Sequence, residues 1–577
     1  MLEGGAARRA GGGAAAGGAG AAQVAPAQSA LSRLPTGAAR AVSAPRLGGS
    51  PGSPRAGSGS QYGTLDLHGA DERVAMMETG TLDELVEESA WRLGQGKALT
   101  RLALGPRGLH GPGVSLALEE LVGVHAEGAE LRFEAYTLVR RGGCLGCCGG
   151  PALVHNSVTV VAVGKASAEE NRALAQRWKE AALRLLGRPP EEQRPLLVLI
   201  NPMSGTRSSA HMWESVGARV IAEQAGHAVD VVVTTRANHA RDLVREHPDL
   251  VAAFKGIVIV SGDGLIFEVL QGIMARKDWA HCVRRLTVGM MPGGSGNGLC
   301  RSINADAGLP HSPLSSAVLI ARAHSRLLDV CAVEIAPKQP GAPPTRLYMF
   351  LSFEWALASD IDIGSEYMRA IGEARFTIEA VVRWLRLRKY GGRLSFLPVA
   401  PKEGPQPRSA KDARVPAPPT YWQEHGDTID STNAPQPTTP LLPPLDQPVP
   451  ESWLVVRDTF WNMWNCNVAW VSGSANVAPE ADIDDGYIQM QYMRDGAPAE
   501  IRPTKARLLQ YLLGLDTGAH KDAPYVEMTP SQAFRWEPMP DAGEHKGIVA
   551  LDGEVVDYAP MQVQNLRGFL RIYGAKK

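Results

Sequence analysis

Apolar residues in the middle of this chain form short unbroken runs, and each run is followed by a polar or glycine-rich turn and then by apolar residues at helical spacing. Short unbroken runs are typical of strands that are buried on both faces of a sheet. Strands that alternate with helices predict a parallel, doubly wound sheet, so we predict an α/β domain over residues 191–328. The four runs are residues 196–200, 229–234, 256–260 and 286–291.

Three of these predicted strands end in turns that suit phosphate binding. Residues 201–205 follow the first strand, Ser261-Gly262-Asp263-Gly264 follows the third, and residues 292–298 follow the fourth. The carboxyl ends of parallel strands form the edge where open α/β sheets bind ligands, and glycines let helix-start amides approach a phosphate. The turns therefore predict a nucleotide site in which Asp263 takes a proton or helps to hold a metal.

The regions outside this domain have different patterns. Beyond residue 328, shorter runs and turns predict an antiparallel β domain over residues 329–577. Within it, residues 401–450 hold 13 of the 42 prolines and show no periodicity, so we expect a disordered insert. Residues 72–190 predict a β-rich accessory region closed by one helix. Residues 1–71 have few large apolar side chains and predict a disordered N-terminus.

Composition limits the partners and the location. The net charge of −1 favours no nucleic-acid partner. The best apolar stretch, residues 346–358, is too short to span a membrane and contains Glu354. Seven cysteines, an odd number, fit a reducing compartment better than a disulfide framework. We expect a cytoplasmic protein that associates with membranes peripherally.

Several motifs, in this order along the chain, resemble the catalytic domain of the diacylglycerol kinase and sphingosine kinase superfamily, and most closely the sphingosine kinases. They are the Asn201-Pro202 turn, Thr234-x-Arg236-x-Asn238, Ser261-Gly262-Asp263-Gly264-Leu265 and Pro292-x-Gly294-Ser295-Gly296-Asn297. The resemblance implies a phosphofructokinase-like α/β domain followed by a lipid-binding antiparallel β-sandwich. It also implies a pleckstrin-homology-like accessory region and the cofactors ATP and Mg²⁺.

The same resemblance assigns roles to single residues. Asp263 is implied to be the general base, helped electrostatically by Glu268, and Asp362 is implied to contact the lipid head group. A carboxylate suits a head group with an ammonium and hydroxyls, but Asp360 is a rival because residues two apart in a strand share a face. The metal ligands stay open. The residues implied to bind nucleotide are Asn201, Pro202, Gly205, Thr234, Arg236, Asn238, Ser261, Gly262, Gly264, Gly294, Ser295, Gly296, Arg369, Arg375, Asp552, Gly553 and Glu554.

We therefore expect a kinase that phosphorylates the primary hydroxyl of sphingosine or another sphingoid base. A ceramide or diacylglycerol kinase is the main alternative, and a soluble nucleotide or sugar kinase and a non-catalytic lipid-binding scaffold are further ones. Residues 376–390 form a basic amphipathic segment. We expect it to pack into its own domain, to lie on anionic lipid, or to bind a calmodulin-like partner.

Overall fold

The computed structural model describes residues 86–93, 99–140, 151–189, 191–339, 341–426, 428–429, 432–539 and 547–576. The chain divides into two units, Met1–Thr79 and Gly80–Lys577, and every described residue belongs to the second unit. The N-terminus expected to be disordered, residues 1–71, lies outside the described residues. The described part has a mixed α/β fold that contains two large sheets.

The first sheet is antiparallel and is covered by one helix. Ser167 caps this helix by accepting a hydrogen bond from the backbone N–H of Glu170. Trp178 on the helix packs edge to face against Trp91 on the sheet. The strands are β1 (Val86–Leu93), β2 (Leu99–Gly105), β3 (Gly108–Gly111), β4 (Val114–Ala117), β5 (Leu121–Glu127), β6 (Glu130–Arg140) and β7 (Pro151–Ala162), in the spatial order β4-β3-β2-β1-β7-β6-β5, and the helix is α1 (Ala168–Leu185).

The second sheet contains a parallel section with helices on both faces. Leu197 and Ile257 point to one layer of helices, and Leu196 and Val258 point to the other. Both faces are therefore covered, which explains the unbroken apolar runs. The strands are β8 (Leu196–Ile200), β9 (Val229–Val233), β10 (Gly256–Ser261) and β11 (Thr287–Pro292), in the order β9-β8-β10-β11, and the helices are α2 (Ser209–Met212), a π-helix (Trp213–Gln224), α3 (His239–Glu246), α4 (Leu250–Ala253), α5 (Asp263–Met274), α6 (Trp279–Arg285), α7 (Gly298–Asp306) and α8 (Pro313–Arg322).

The rest of the second sheet is antiparallel and surrounds an aromatic core. Phe353 packs edge to face on Phe534, and Trp355 packs in the same way on Trp536. The strands are β12 (Ser325–Ile335), β13 (Thr345–Met349), β14 (Ser352–Ala356), β15 (Tyr390–Phe396), β16 (Leu454–Cys466), β17 (Ile488–Arg494), β18 (Glu527–Ser531), β19 (Ala533–Pro538), β20 (Val549–Leu551), β21 (Glu554–Val555) and β22 (Met561–Tyr573), and the helices are α9 (Leu357–Gly364), α10 (Ala374–Leu385), α11 (Ala410–Ala413), α12 (Tyr421–His425) and α13 (Lys505–Leu513), with short 3₁₀ turns at Leu118–Glu120, Glu366–Ile371 and Ala519–Asp522.

The last strand joins the two sections of this sheet. Arg571 and Ile572 of β22 pair in parallel with β11, whereas β22 is antiparallel to β12 and β19. The boundary expected between residues 328 and 329 falls inside β12, which runs from Ser325 to Ile335. The change of pattern at this point therefore marks a change of strand direction within one continuous sheet.

The described parts of residues 401–450 are not the disordered insert that the proline content of this range predicts. Tyr421 and Trp422 on α12 pack against Phe569 of β22, and Trp422 Nε1 donates a hydrogen bond to the Phe569 carbonyl at 2.8 Å. The guanidinium of Arg535 donates to carbonyl groups within the same segment, at residues 443, 444 and 447. Proline removes N–H donors but leaves carbonyls and neighbouring side chains free to make such contacts. Tertiary contacts therefore order this segment, and such contacts cannot be predicted from amino-acid composition.

The contact of α12 with β22 generates a stability prediction. We expect Trp422→Ala to lower the free energy of unfolding by about 3 kcal/mol, because it removes a half-buried aromatic ring and leaves a cavity. Glu424→Ala, at an exposed position on the same helix, is the control and is expected to change stability little. Urea unfolding of both variants measures the difference. Equal stability of the two would mean that α12 does not pack on β22 in solution.

Candidate active site

The three turns that follow β8, β10 and β11 meet through backbone atoms. A Cβ at Gly294 would overlap the Cα of Gly262, and a Cβ at Gly205 would lie 2.8 Å from the carbonyl carbon of Gly294. Gly205 also has a φ of +51°, which side chains disfavour. The glycines are therefore required by the contact of the turns with one another, in addition to any contact with phosphate.

Hydrogen bonds from two small polar side chains fix these turns. Ser204 Oγ accepts from the backbone N–H of Gly262 at 3.1 Å and from Ser261 Oγ at 3.2 Å. Asn297 Oδ1 accepts from the Gly294 N–H at 2.9 Å, and Asn297 Nδ2 donates to the Gly294 carbonyl at 2.8 Å. The motifs did not assign a role to Ser204 or Asn297. In the sequence, the feature that could have identified both residues is their position in glycine-rich turns.

Asp263 stands at the start of α5 and bonds to the start of α7. Its Oδ2 accepts from the Gly298 N–H at 2.8 Å and its Oδ1 accepts from the Leu299 N–H at 3.2 Å. Burial raises the pKa of Asp263 to about 6, the two amides oppose the rise, and repulsion from Asp362 adds to it. The carboxylate is thus fixed in orientation and is mostly ionised at neutral pH, as a proton acceptor requires.

Glu268, one and a half turns further along α5, contacts a neighbouring segment. Its Oε1 accepts from the Asn238 N–H at 3.0 Å, and its Oε2 is buried and has no hydrogen-bond partner among the described residues. Asn238 has a φ of +59° just before α3. The contact of Glu268 is therefore with the strained entry to α3, and its second oxygen is left for another group.

These turns form one end of a cleft of about 1060 Å³. The cleft brings together all of the sequence-predicted site residues except Asn238. Asn238 contacts the site through the hydrogen bond from its N–H to Glu268 that is described above. The walls of the cleft include Asn201, Pro202, Gly205, Thr234, Arg236, Ser261, Gly262, Asp263, Gly264, Glu268, Gly294, Ser295, Gly296, Asp362, Arg369, Arg375, Asp552, Gly553 and Glu554.

Asp362 lies on the cleft wall and Asp360 does not. Both residues are on helix α9, and not on the strand that the sequence predicted. Residues two apart on a helix face nearly opposite directions, so the rivalry argued from a shared strand face was wrong. Asp360 accepts a hydrogen bond of 2.6 Å from the Tyr390 hydroxyl within the core. Burial raises the pKa of Asp362 to about 6, although the Arg375 guanidinium opposes the rise.

The three arginines on the cleft wall differ in exposure. Arg375 is buried and donates to Asp362 Oδ1 at 3.2 Å and to Ser365 Oγ at 3.0 Å. Arg369 is largely exposed and pairs with Glu366, and Arg236 is largely exposed and pairs with Asp242 at 2.7 Å. Arg375 is thus held in place by the acid predicted to bind the lipid, whereas the other two side chains are free to reorient toward a ligand.

The Asp552-Gly553-Glu554 turn lies beside Asp263. Asp552 Oδ1 accepts from the N–H groups of Leu351 and Ser352 at 2.8 and 3.0 Å, so this carboxylate fixes the start of β14. Glu554 approaches α5: a Cβ at Gly264 would lie 2.6 Å from Glu554 Oε1. Of the two acids in the turn, Glu554 is therefore the one whose oxygens remain available to a ligand.

The other end of the cleft is apolar and is bounded by α10 and α13. Phe376, Trp384 and Leu512 line this end and pack against a small apolar core. The opposite face of α10 leaves Ile378 and Leu385 exposed. The basic amphipathic segment therefore both packs into the domain and presents apolar side chains to solvent. No helix in the described ranges has the length and apolar content needed to cross a membrane.

Glu354 is a further acid on the cleft wall, and the motifs gave it no role. It is only 3% exposed, on β14, and its Oε1 accepts from Ser352 Oγ at 2.8 Å. In the sequence it stands out as a single charge inside an apolar run. A single charge in such a run argues against a membrane span, and an isolated buried carboxylate also marks a candidate site.

Comparison with known proteins agrees with this geometry. The family model for the diacylglycerol kinase catalytic domain matches residues 195–333, which carry the three turns and Asp263. These residues therefore have the sequence of a catalytic domain of the diacylglycerol kinase type.

Whole-chain relatives give a narrower assignment. The chain is 31% identical over 447 residues to sphingosine kinase 1 of Arabidopsis thaliana, covering 77% of this chain and 83% of that protein. It is 30% identical over 525 residues to sphingosine kinase 2 of Homo sapiens, covering 70% and 77%. The chain belongs to the sphingosine kinase family. A crystal structure of a diacylglycerol kinase from Bacillus anthracis str. Sterne, 14% identical, covers 67% of this chain and 98% of that chain with a TM-score of 0.43.

The contact of the turns generates a second stability prediction. We expect Gly294→Ala to lower the free energy of unfolding by roughly 1–3 kcal/mol, because its Cβ would force the turns after β10 and β11 apart. Gly296→Ala in the same turn is the control, since the nearest atom to its Cβ would be Asp263 Oδ2 at 3.6 Å, an ordinary contact. Thermal or urea unfolding compares the two variants. Equal losses would contradict the backbone contact.

Proposed function

We propose that this protein transfers a phosphoryl group from ATP to the primary hydroxyl of sphingosine or another sphingoid base. One observation carries the proposal: a single cleft runs from the glycine turns and Asp263, past Asp362, to an apolar wall. A sphingoid base has the same order, with a reacting hydroxyl, then an ammonium, then a long chain. The relatives named sphingosine kinase support the same substrate.

Asp263 is the proposed general base. The Gly298 and Leu299 amides each occupy one lone pair of its carboxylate, so a second lone pair on Oδ1 or Oδ2 remains for the substrate hydroxyl. Gly296 leaves room beside Oδ2, because even a Cβ at that position would lie 3.6 Å away. A carboxylate fixed in this way accepts the proton of the primary hydroxyl as the hydroxyl oxygen attacks the γ-phosphorus of ATP and ADP leaves.

The phosphate end combines amides, arginines and two acids. We assign the phosphates of ATP to the amides of the glycine turns and to Arg236, Arg369 and Arg375, since phosphoryl transfer depends on neutralising charge on phosphate oxygens. Glu268 and Glu554 fit Mg²⁺. Glu268 Oε2 has no hydrogen-bond partner among the described residues. Burial raises the pKa of Glu554, and repulsion from Glu366 and then from Glu268 adds to the rise, so Glu268 and Glu554 are close enough to interact. Mg²⁺ bound with ATP would offset the charge of the phosphates.

The proposed magnesium site shares its ligands with the substrate. Within the described residues, no cluster of three or more His, Cys, Asp or Glu side chains is arranged to hold a metal by itself. Mg²⁺ in kinases commonly takes one or two carboxylates and completes its shell with phosphates and water. Two acids beside the glycine turns are therefore sufficient for the ion that we propose.

Asp362 is the proposed partner of the substrate ammonium. Ceramide and diacylglycerol, the alternative substrates, have no free ammonium and would leave this partly buried acid with the Arg375 guanidinium as its salt-bridge partner among the described residues. A soluble nucleotide or sugar substrate would leave the apolar wall uncovered. The presence of the three glycine turns and of Asp263 in one cleft argues against a non-catalytic scaffold.

We propose a division of labour along the chain that follows the sequence boundaries. Residues 191–328 carry the glycine turns and Asp263, and residues 329–577 bind lipid as an antiparallel β-sandwich and add Arg369, Arg375 and Glu554 to the nucleotide end of the cleft. The described part of residues 72–190 is the pleckstrin-homology-like region and supports the catalytic part. This role is supported by the hydrogen bond of 2.7 Å from the Tyr136 hydroxyl to Gln224 Oε1, at the end of the π-helix.

We propose that α10 makes the peripheral membrane contact through which a cytoplasmic enzyme reaches its lipid. Ile378, Val381 and Leu385 are exposed beside the apolar end of the cleft. Arg386 and Arg388, just after the end of this helix, are also exposed, so an anionic lipid surface would meet both apolar and basic side chains. A calmodulin-like partner would use the same face and would compete with the membrane.

The experiment that tests the function is turnover of labelled ATP with sphingosine, ceramide and diacylglycerol. We expect sphingosine to be phosphorylated in preference to the other two. Asp263→Asn is expected to lower kcat by ~10²-fold or more while ATP still binds, because the amide cannot accept the proton. Preference for a lipid without an ammonium would overturn the substrate, and near-normal kcat in the folded Asp263→Asn variant would overturn the base.

A second experiment tests head-group recognition. We expect Asp362→Asn to raise the KM for sphingosine by ~10-fold or more and to change the KM for ATP little, because an amide lacks the charge that pairs with the ammonium. Asp360→Asn is the matched control on the same helix, and its sphingosine KM is expected to stay near that of the unmodified protein. If the Asp360 variant showed the larger lipid-specific loss, our assignment of Asp362 would be wrong.

A further inference from the structure

Glu354 has an oxygen with no partner inside the cleft. Its Oε1 accepts from Ser352 Oγ, but Oε2 is buried and makes no hydrogen bond within the described residues, and the indole N–H of Trp464 near the carboxyl group is likewise buried and without an acceptor there. A buried polar atom without a partner costs free energy. Because Glu354 and Trp464 both line the cleft, a ligand hydroxyl there can supply the partners that the two groups lack.

The position of Glu354 shows which part of a ligand it would meet. It pairs directly with Trp464 across the β14 and β16 ladder, so both side chains lie on the same face of the sheet. Trp464 packs with Val471 and Leu515, which line the apolar part of the cleft. On the other side, Glu354 is close enough to Asp362 for repulsion between the two acids. Glu354 thus lies near both the acid that we propose to bind the ammonium and the apolar residues beside Trp464.

The protonation state of Glu354 decides which group it suits. Burial first, and then repulsion from Asp362, raises the pKa of Glu354 well above its ordinary value. The neutral carboxylic acid both donates and accepts a hydrogen bond, as a hydroxyl group does. A second cation is therefore a poorer match than a hydroxyl, because Asp362 already supplies the negative charge at this point.

We propose that Glu354 is a specificity-determining residue that hydrogen-bonds a substrate hydroxyl on the chain side of the amino-bearing carbon. This inference rests on the proposed function, since it takes the amino-bearing carbon to lie at Asp362. Two hydroxyls have this chemistry: the one on the third carbon, which sphinganine carries, and the additional one on the fourth carbon of 4-hydroxysphinganine. The site therefore selects among sphingoid bases by the hydroxyls next to the amine, and not by the amine alone.

The test compares kcat/KM for 3-deoxysphinganine, sphinganine and 4-hydroxysphinganine in the unmodified protein, Glu354→Met and Glu354→Gln. Methionine keeps the length of the side chain but cannot replace the hydrogen bond, whereas glutamine keeps a donor and an acceptor. We expect Glu354→Met to lower kcat/KM for the hydroxylated bases roughly five- to tenfold more than for 3-deoxysphinganine. Glu354→Gln is expected to retain most of the discrimination. If the additional loss of kcat/KM is already seen with sphinganine, Glu354 contacts the hydroxyl on the third carbon. If it is seen only with 4-hydroxysphinganine, Glu354 contacts the hydroxyl on the fourth carbon.

Other outcomes overturn the proposal. Equal losses for all three bases would show that Glu354 acts on the amine or on the fold, and equal damage from Glu354→Gln would show that its charge is what matters. If Glu354→Met does not fold, the unmodified protein and Glu354→Gln still decide, because both must prefer a hydroxylated base to 3-deoxysphinganine. If the unmodified protein phosphorylates none of the three, it is the proposed function that fails.

Discussion

The site depends on the contact between backbone atoms of the turns that follow β8, β10 and β11. At each of Gly205, Gly262 and Gly294, the backbone of a neighbouring turn approaches too closely to leave room for a Cβ. This contact fixes the distance between β10 and the start of α7, and Asp263 then bridges that distance by accepting two N–H groups of α7. The orientation of the proposed base is therefore a consequence of the glycines, and a larger residue at one turn would displace the acid on another.

Much of this arrangement could be predicted because it is local. Unbroken apolar runs predict buried parallel strands, and glycine turns at their carboxyl ends predict where a phosphate ligand would lie. The bounds of β8 and the place of Asp263 at the start of α5 agree with that reasoning. The family was also recognisable from the same turns, because their spacing and order are specific.

The errors came from non-local contacts. Asp360 and Asp362 were read as strand residues because apolar and acidic residues alternate there, but the chain forms α9, in which the alternation places one acid in the core and one in the cleft. Proline content predicted disorder over residues 401–450, where Trp422 instead seats the segment on β22. No pattern in residues 561–573 shows that this strand joins the parallel and antiparallel sections. Each case depends on a partner that is distant in sequence.

The cleft concentrates acids whose burial opposes folding. Burial raises the pKa of Asp263 and Asp362 to about 6 and that of Asp552 to about 7. A carboxyl whose pKa is raised by folding costs stability as the pH rises from its ordinary pKa to its folded pKa. Backbone amides offset this cost at Asp263 and Asp552, but Asp362 depends on Arg375, and one oxygen of Glu354 has no hydrogen-bond partner among the residues that the structure describes.

Among the four acids just compared, Asp362 and Glu354 accept no backbone N–H within the described residues, and these are the two that we propose to meet the lipid. A substrate that brings an ammonium to Asp362 and a hydroxyl to Glu354 supplies what the fold leaves missing, whereas a neutral glycerolipid supplies no charge to match Asp362. Selectivity then arises because the wrong substrate would bury unmatched polar groups, a larger penalty than the loss of one favourable contact. In this proposal, the energetic cost of burying these acids and the preference for a sphingoid base have the same physical origin.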